Sequence, residues 1–396
     1  MTNSFAFDVI VIGRGLLATS SARHIAMDNP DIALIGLTEK QCIESSQVWA
    51  SHYDNTRVQR IIAQNELWTR LNLESARTWP SLQDQTGIVF YQENGCIYLN
   101  NFEDEYIKGA SRIAKKFDLD LQTIIGSAEL REISPHLTVG ESVFGIYESS
   151  LAGLINPRKL VEAQMNAFAR LGGTEVNDLV VEVFQSNDRW SVKTASGNLF
   201  EANKVLVAVG AFTNYFDLIP RPLEFQNKSE VVIMAKLSKD DYLRMQGMPS
   251  LLYEVNTNEF DGIYLTAPTQ TPDGSYVLKM GLNQKSDLCL NDQSAMQAWF
   301  GGEKYKSFGS ILERELNKLF PHVTFLETAL KQCVISRTST ENPYIGEIDD
   351  GLFVAHGCNG YSAMSSDAQG RQAAALLSKG GFGEGFSESD FKLVYK

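Results

Sequence analysis

The chain has 396 residues, 43% hydrophobic and 21% charged, the balance of an ordinary globular protein with room for two domains. Its net charge of -13 repels nucleic acid and anionic membrane surfaces, and no basic stretch overrides that locally. No segment has the apolar length of a membrane span, and the first strand begins almost at once without a basic leader, so a cytoplasmic protein with no nucleic-acid partner is expected.

The first element, Phe7 to Ile12, is a short apolar strand running into Gly13-Arg14-Gly15-Leu16-Leu17-Ala18 and then into a helix from about Thr19 to Met27. This G-x-G-x-x-A spacing is that of a dinucleotide site. Gly13 permits the turn, Gly15 lets a pyrophosphate approach the backbone, and small Ala18 lets the helix pack close. Free amides from Leu16 onward, at the positive end of the helix, would face the phosphates. The second strand, Ile32 to Ile35, ends at Gly36, where such folds usually carry an acid for the ribose hydroxyls. Glu39 or Thr38 just beyond, or else backbone groups and water, are the candidate substitutes.

A polar and aromatic loop from Gln47 to Arg60 follows, and a helical pattern then resumes through Leu67, Trp68 and Leu71. Ile88 to Phe90 and Cys96 to Leu99 flank Glu93-Asn94-Gly95 and read as a hairpin, placing the start of a second domain near Gly87. Asn156-Pro157 opens an amphipathic helix that Gly172-Gly173 ends. Leu179 to Val183 and Trp190 to Val192 make a second hairpin, and Lys204 to Ala211 reads as a fully buried strand ending in glycine, its apolar run from Val205 to Val209 suiting the centre of a parallel sheet. From Pro220 to about Gln332 the pattern is antiparallel, with helices near Trp299 and from Ile311 to Phe320. The last apolar strand, Leu352 to His356, opens into Gly357-Cys358-Asn359-Gly360 before a helix from Asp367 to Leu377. The five cysteines include no C-x-x-C pair and the five histidines no ligand spacing, so no metal is expected. Strands that end in glycine at Gly13, Gly210 and Gly357 suggest several backbone contacts to one long cofactor, which favours FAD over NAD.

These residues resemble the FAD-dependent amine and amino-acid oxidases of the D-amino-acid oxidase type, most of all the sarcosine-oxidase and N-methyltryptophan-oxidase branch. The resemblance rests on the opening turn, on Ser51-His52-Tyr53-Asp54-Asn55-Thr56-Arg57-Val58-Gln59-Arg60, on Val207 to Asn214, on Leu278-Lys279-Met280-Gly281 and on Gly357-Cys358-Asn359-Gly360. It implies a cofactor wall of Gly13, Gly15, Leu16, Ala18, Ser51, Thr56, Arg57, Val181, Gly210, Gly357, Asn359 and Gly360. It implies Arg57 over the flavin face and Lys279 at the reactive edge, where a positive charge stabilises superoxide as oxygen takes its first electron. Arg60 is implied to grip the substrate's carboxylate. A sulfur bond from Cys333 to the flavin is implied too, although matching Thr338 and Thr340 to the family's threonines puts its cysteine at Ile335; a buried structural thiol is the other reading. The substrate side departs from the family. Met364 stands where the family has a lysine beside the carboxylate, Leu265 next to Tyr264 where it has a tyrosine, and Asn283 where it has a histidine.

The expected fold is therefore α/β: a discontinuous Rossmann-type FAD domain (1–86, 145–219 and 333–396) and an α+β substrate domain on a mixed, largely antiparallel sheet (87–144 and 220–332). The expected activity is oxidation of a secondary or primary amine or amino acid, with oxygen, or else an electron carrier, as acceptor. A flavin-carrying subunit inactive without a partner chain is the reading from another class.

Overall fold

The computed structural model describes residues 4–396. Five strands run parallel at the heart of the first sheet, in the order Thr174–Val176, Ile32–Ile35, Ser4–Ile12, Leu199–Val207 and Leu352–His356. The strand Leu199–Val207 has two neighbours on its outer edge. Its first half pairs antiparallel with Arg189–Thr194, and its second half pairs parallel with Leu352–His356. Val9 and Val11 face one side and Ile10 and Ile12 the other, and all four are buried, which is why this strand reads as an unbroken apolar run.

Helices Leu16–Asp28, Pro157–Arg170 and Ser362–Lys379 cover the Val9 and Val11 face. The first and last cross closely because their contact is made of small residues. A Cβ at Gly370 would lie 2.2 Å from Ser20 Oγ. The last helix begins at Ser362, five residues earlier than the pattern from Asp367 suggested.

The second sheet has eight strands, in the order Glu327–Thr338, Phe225–Leu237, Tyr276–Gln284, Phe260–Gln270, Ser250–Glu254, Cys96–Asn100, Phe144–Glu148 and Gln122–Ile125. Only the pair Ser250–Glu254 and Cys96–Asn100 is parallel, so the sheet is mixed and largely antiparallel as expected. Val231, Ile233, Leu265 and Met280 on one face pack with Trp299, Leu312 and Leu316 of the helices Gln293–Gly301 and Gly309–Leu319. Residues of alternate parity turn to the other face, toward the first sheet.

Two sequence expectations change here. The apolar runs around Glu93-Asn94-Gly95 are not a hairpin: Tyr91–Glu93 pairs with Gly153–Ile155 in a small third sheet, and Cys96–Asn100 joins the second sheet. Gly95, at φ +81°, is where the chain crosses between sheets, a pattern of apolar, turn, apolar that looks identical in sequence. The boundaries at 144/145 and 332/333 fall inside the strands Phe144–Glu148 and Glu327–Thr338, both of the second sheet.

Candidate cofactor and active site

Gly13 occupies φ +119°, and a Cβ there would come within 2.5 Å of Ala208 O, so only glycine fits the turn. Ala18 lies below it, fully buried, its Cβ 3.3 Å from the same point. Gly15 is the N-cap of the first helix, no side chain caps that end, and the direction its Cβ would take is open. The first-turn amides are thus left for a ligand. Gly36 is glycine for a packing reason, because a Cβ would sit 2.8 Å from Gly13 C. Of the two candidate side chains, Thr38 is committed to a capping box with Gln41. Glu39 stands on the wall of the adjoining cavity, bound to Arg158 Nε at 2.9 Å and Nη2 at 2.5 Å.

That cavity, about 470 Å³, runs from the glycine turn between the two sheets. Gly13, Gly15, Leu16, Ser51, Arg57, Gly210, Cys333 and Gly357 of the expected wall line it. Ala18, Thr56, Asn359 and Gly360 stand behind the wall: Thr56 is buried, and Asn359 Oδ1 accepts the Thr338 N–H at 2.9 Å. Val181 is displaced by one position. A bulge between Val180 and Glu182 turns Val180 to the cavity, while the Val181 carbonyl accepts the Asp217 N–H at 3.2 Å. Ile335 does not line the cavity whereas Cys333 does.

Arg14, Arg57, Arg158 and Lys331 also line it. Their field registers at buried His52, whose pKa burial lowers to about 3 with help from Arg158, Arg57, Arg14 and Lys331. His356, buried at the same wall, holds Thr213 Oγ1 and the Gly210 carbonyl through Nδ1, each at 3.0 Å, and its Nε2 has no partner among the described residues. An uncapped helix start, an open face at Gly15, a cationic field and an orphaned ring nitrogen together fit a long anionic dinucleotide. Among the described residues no His, Cys, Asp and Glu cluster suits a metal ion.

At the far end Lys279 is not the surface charge its strand position would ordinarily give. It is 1% exposed and donates to Asp54 Oδ2 at 2.5 Å and to the Thr56 carbonyl at 2.9 Å. Arg57 reaches the same carboxylate at 3.2 Å, the Ser51 carbonyl at 2.7 Å and Cys333 Sγ at 3.7 Å. Burial, helped by Arg57, lowers the Lys279 pKa to about 8 against the pull of Asp54. Burial would raise Asp54, but Lys279 and Arg57 overcome it and hold it below the usual carboxylate range.

Arg60 is buried beside Tyr106 and Tyr361, donating to their hydroxyls at 2.7 and 3.1 Å with its guanidinium 5.4 and 5.5 Å from the two rings. No carboxylate pairs with it among the described residues, and its Nε has no partner. Tyr361 stacks on Trp68, and Met364 is buried three residues on. Glu148 fixes this segment by accepting the Ile61 and Ile62 N–H groups at 2.7 and 3.1 Å; burial raises its pKa to about 7. Leu265 is not at the site: it is fully buried in the core on the opposite face of its strand. Tyr264 takes the face opposite Leu265, outside the cavity lining, its ring crossing Gly281 to donate to Glu230 Oε1 at 3.1 Å. Glu230 is directly paired with Cys333, its Oε2 is unpartnered, and burial raises its pKa to about 8. Asp54, Tyr106, Tyr361, Glu230 and Lys331 were not singled out from the sequence, because each owes its place to pairing across distant segments.

The family model of FAD dependent oxidoreductases, DAO, matches residues 8–376. The chain belongs to this family. It is 25% identical over 209 residues to human peroxisomal sarcosine oxidase, a match covering 52% of this chain and 51% of that relative. The chain thus matches about half the length of its curated relative. In fold it is similar to NikD, described as an unusual amino acid oxidase essential for nikkomycin biosynthesis, with TM-score 0.79, 16% identity and 99% and 98% of the two chains covered. It is also similar to the L-proline dehydrogenase from P. horikoshii, with TM-score 0.75, 19% identity and coverage of 98% and 96%. No helix among the described residues is long and apolar enough to cross a membrane.

Proposed function

We propose that this oxidoreductase oxidises an amino acid or N-substituted amino acid at the carbon bearing its amine. The observation that carries the reading is Arg60, a buried cation whose partners among the described residues are phenols. A charge so placed is costly unless an anion meets it, and a substrate carboxylate is an anion of the right geometry for a guanidinium fork.

The chemistry FAD supplies when bound is acceptance of a hydride from that carbon, leaving an imine that water hydrolyses, with the electrons passed on to oxygen to give hydrogen peroxide. Gly13, Gly15 and the first-turn amides would hold its pyrophosphate, Arg57 would face the flavin, and Cys333, which lines the same cavity, would bond it covalently. Arg60 orients the substrate through its carboxylate. Tyr106 and Tyr361 pack on Arg60 and Trp68 stacks on Tyr361, all outside the lining of the 470 Å³ cavity; this aromatic setting would favour a bulky side chain, worth about 25 cal/mol for each Å² buried. Sarcosine is therefore expected to be a poor substrate and an N-methylated aromatic amino acid a better one. A comparison of kcat/KM for the two tests this, and sarcosine winning would overturn the preference for a bulky side chain.

A second reading has one observation behind it. Lys279, the charge expected to meet oxygen, is already bound by Asp54 and does not line the cavity. That arrangement is compatible with a dehydrogenase delivering electrons to a carrier. Oxygen uptake on substrate addition separates the two: uptake at the rate of substrate loss supports the oxidase, and turnover only with an artificial acceptor supports the dehydrogenase.

A further inference from the structure

Asp54 stands where the second sheet meets the cavity. Its Oδ1 accepts the Asn55 N–H at 2.7 Å, and its Oδ2 takes Lys279 Nζ at 2.5 Å and Arg57 Nη1 at 3.2 Å. Asp54 and Arg57 line the cavity, whereas Lys279 lies behind them. We propose that Asp54 is the positioning residue of this site, keeping the Lys279 ammonium protonated and fixed, and joining it to Arg57 in a buried unit of one net positive charge turned toward the flavin. The proposal rests on the reading that Lys279 serves the flavin's reactive edge.

The charge count follows from the contacts. Two cations share one carboxylate, so the unit is cationic as a whole even though Lys279 is paired. Burial and Arg57 both favour loss of the Lys279 proton, and Asp54 is the one full charge in contact that opposes it. The other groups near the ammonium are the neutral Thr56 carbonyl and, on the strand Glu327–Thr338, Cys333. The strand partners of Lys279 are Met234 and Thr266, which do not ionise. Lys331 acts on Asp54 from the edge strand. Without the carboxylate, Lys279 would lose its proton at a lower pH, and the unit would keep one charge by shedding another.

The test follows Lys279 itself. In the holoenzyme, NMR of lysine labelled at Cε gives its protonation midpoint, the resonance being assigned by its loss in Lys279→Met. Wild type is expected near 8. Asp54→Asn is expected lower by about one pH unit or more, and Asp54→Glu close to wild type. The pH profile of flavin reoxidation in the holoenzyme should move the same way. Should Asp54→Asn fail to fold, Arg57→Gln replaces it, and there the midpoint should rise. A midpoint unmoved by Asp54→Asn, or by Arg57→Gln in its place, overturns the proposal. A moved midpoint with oxygen reactivity unchanged in Lys279→Met instead overturns the role of Lys279 toward oxygen and leaves Asp54 as its positioning residue.

Discussion

Replacing Arg60 with Met separates what this residue does for the fold from what it does for substrate. In the free protein its contacts are two phenolic hydroxyls, at 2.7 and 3.1 Å. Tyr106 keeps a partner after the change, since its hydroxyl also donates to the Ile62 carbonyl at 2.7 Å. Tyr361 loses one and both rings lose a cation 5.4 and 5.5 Å from their centres, a combined cost of about 2 kcal/mol, which is offset by removing a buried cation that has no carboxylate partner among the described residues. The melting temperature should therefore change little. Substrate binding should suffer, because two charge-assisted hydrogen bonds to a carboxylate are worth roughly 3 kcal/mol at the low end. That is about a hundredfold in kcat/KM. The assay compares an N-methylated aromatic amino acid with the matching amine lacking its carboxylate, in wild type and variant. Loss on the acid alone is expected. Equal loss on both substrates would refute the reasoning and make Arg60 a structural residue.

Lys279→Met should slow reoxidation of reduced flavin by oxygen by about a hundredfold while leaving reduction by substrate nearly unchanged, in stopped-flow measurements of each half-reaction. In wild type, the oxygen rate should fall as pH rises through about 8 and Lys279 loses its charge. Acid precipitation should leave the yellow colour with the protein, and Cys333→Ser should release it to the supernatant. Glu230 is raised by burial from 4.5 to about 8, so its contribution to stability is present below pH 4.5 and lost as pH rises through 8. Denaturant unfolding of Glu230→Gln should accordingly show a flatter pH dependence than wild type between those limits, and an unchanged slope would place the titration elsewhere.

The parts of the site that were legible in the sequence are those made by neighbouring residues. The glycine turn declares itself because Gly13, Gly15 and Ala18 act within one strand, turn and helix. What escaped depends on register. Phe260–Gln270 carries irregularities between Phe260 and Ile263 and between Thr266 and Thr269, and an error of one residue exchanges Leu265 for Tyr264 across the faces of the sheet. The bulge at Val180 did the same to Val181. Asp54 lay within a run already quoted for the resemblance, yet its role needs Lys279, 225 residues away, to arrive beside it. Glu230 likewise acquires meaning only from the antiparallel pairing that sets it opposite Cys333.

The central claim, an amino-acid-oxidising flavoprotein, is tested most directly by mixing the holoenzyme anaerobically with a panel of amino acids, N-methyl amino acids and plain amines while following the flavin absorbance. The account predicts bleaching by carboxylate-bearing amines, fastest with a bulky aromatic member, and return of the colour with release of hydrogen peroxide when oxygen is admitted. Bleaching by plain amines in preference to amino acids, or by no amine at all, would contradict it.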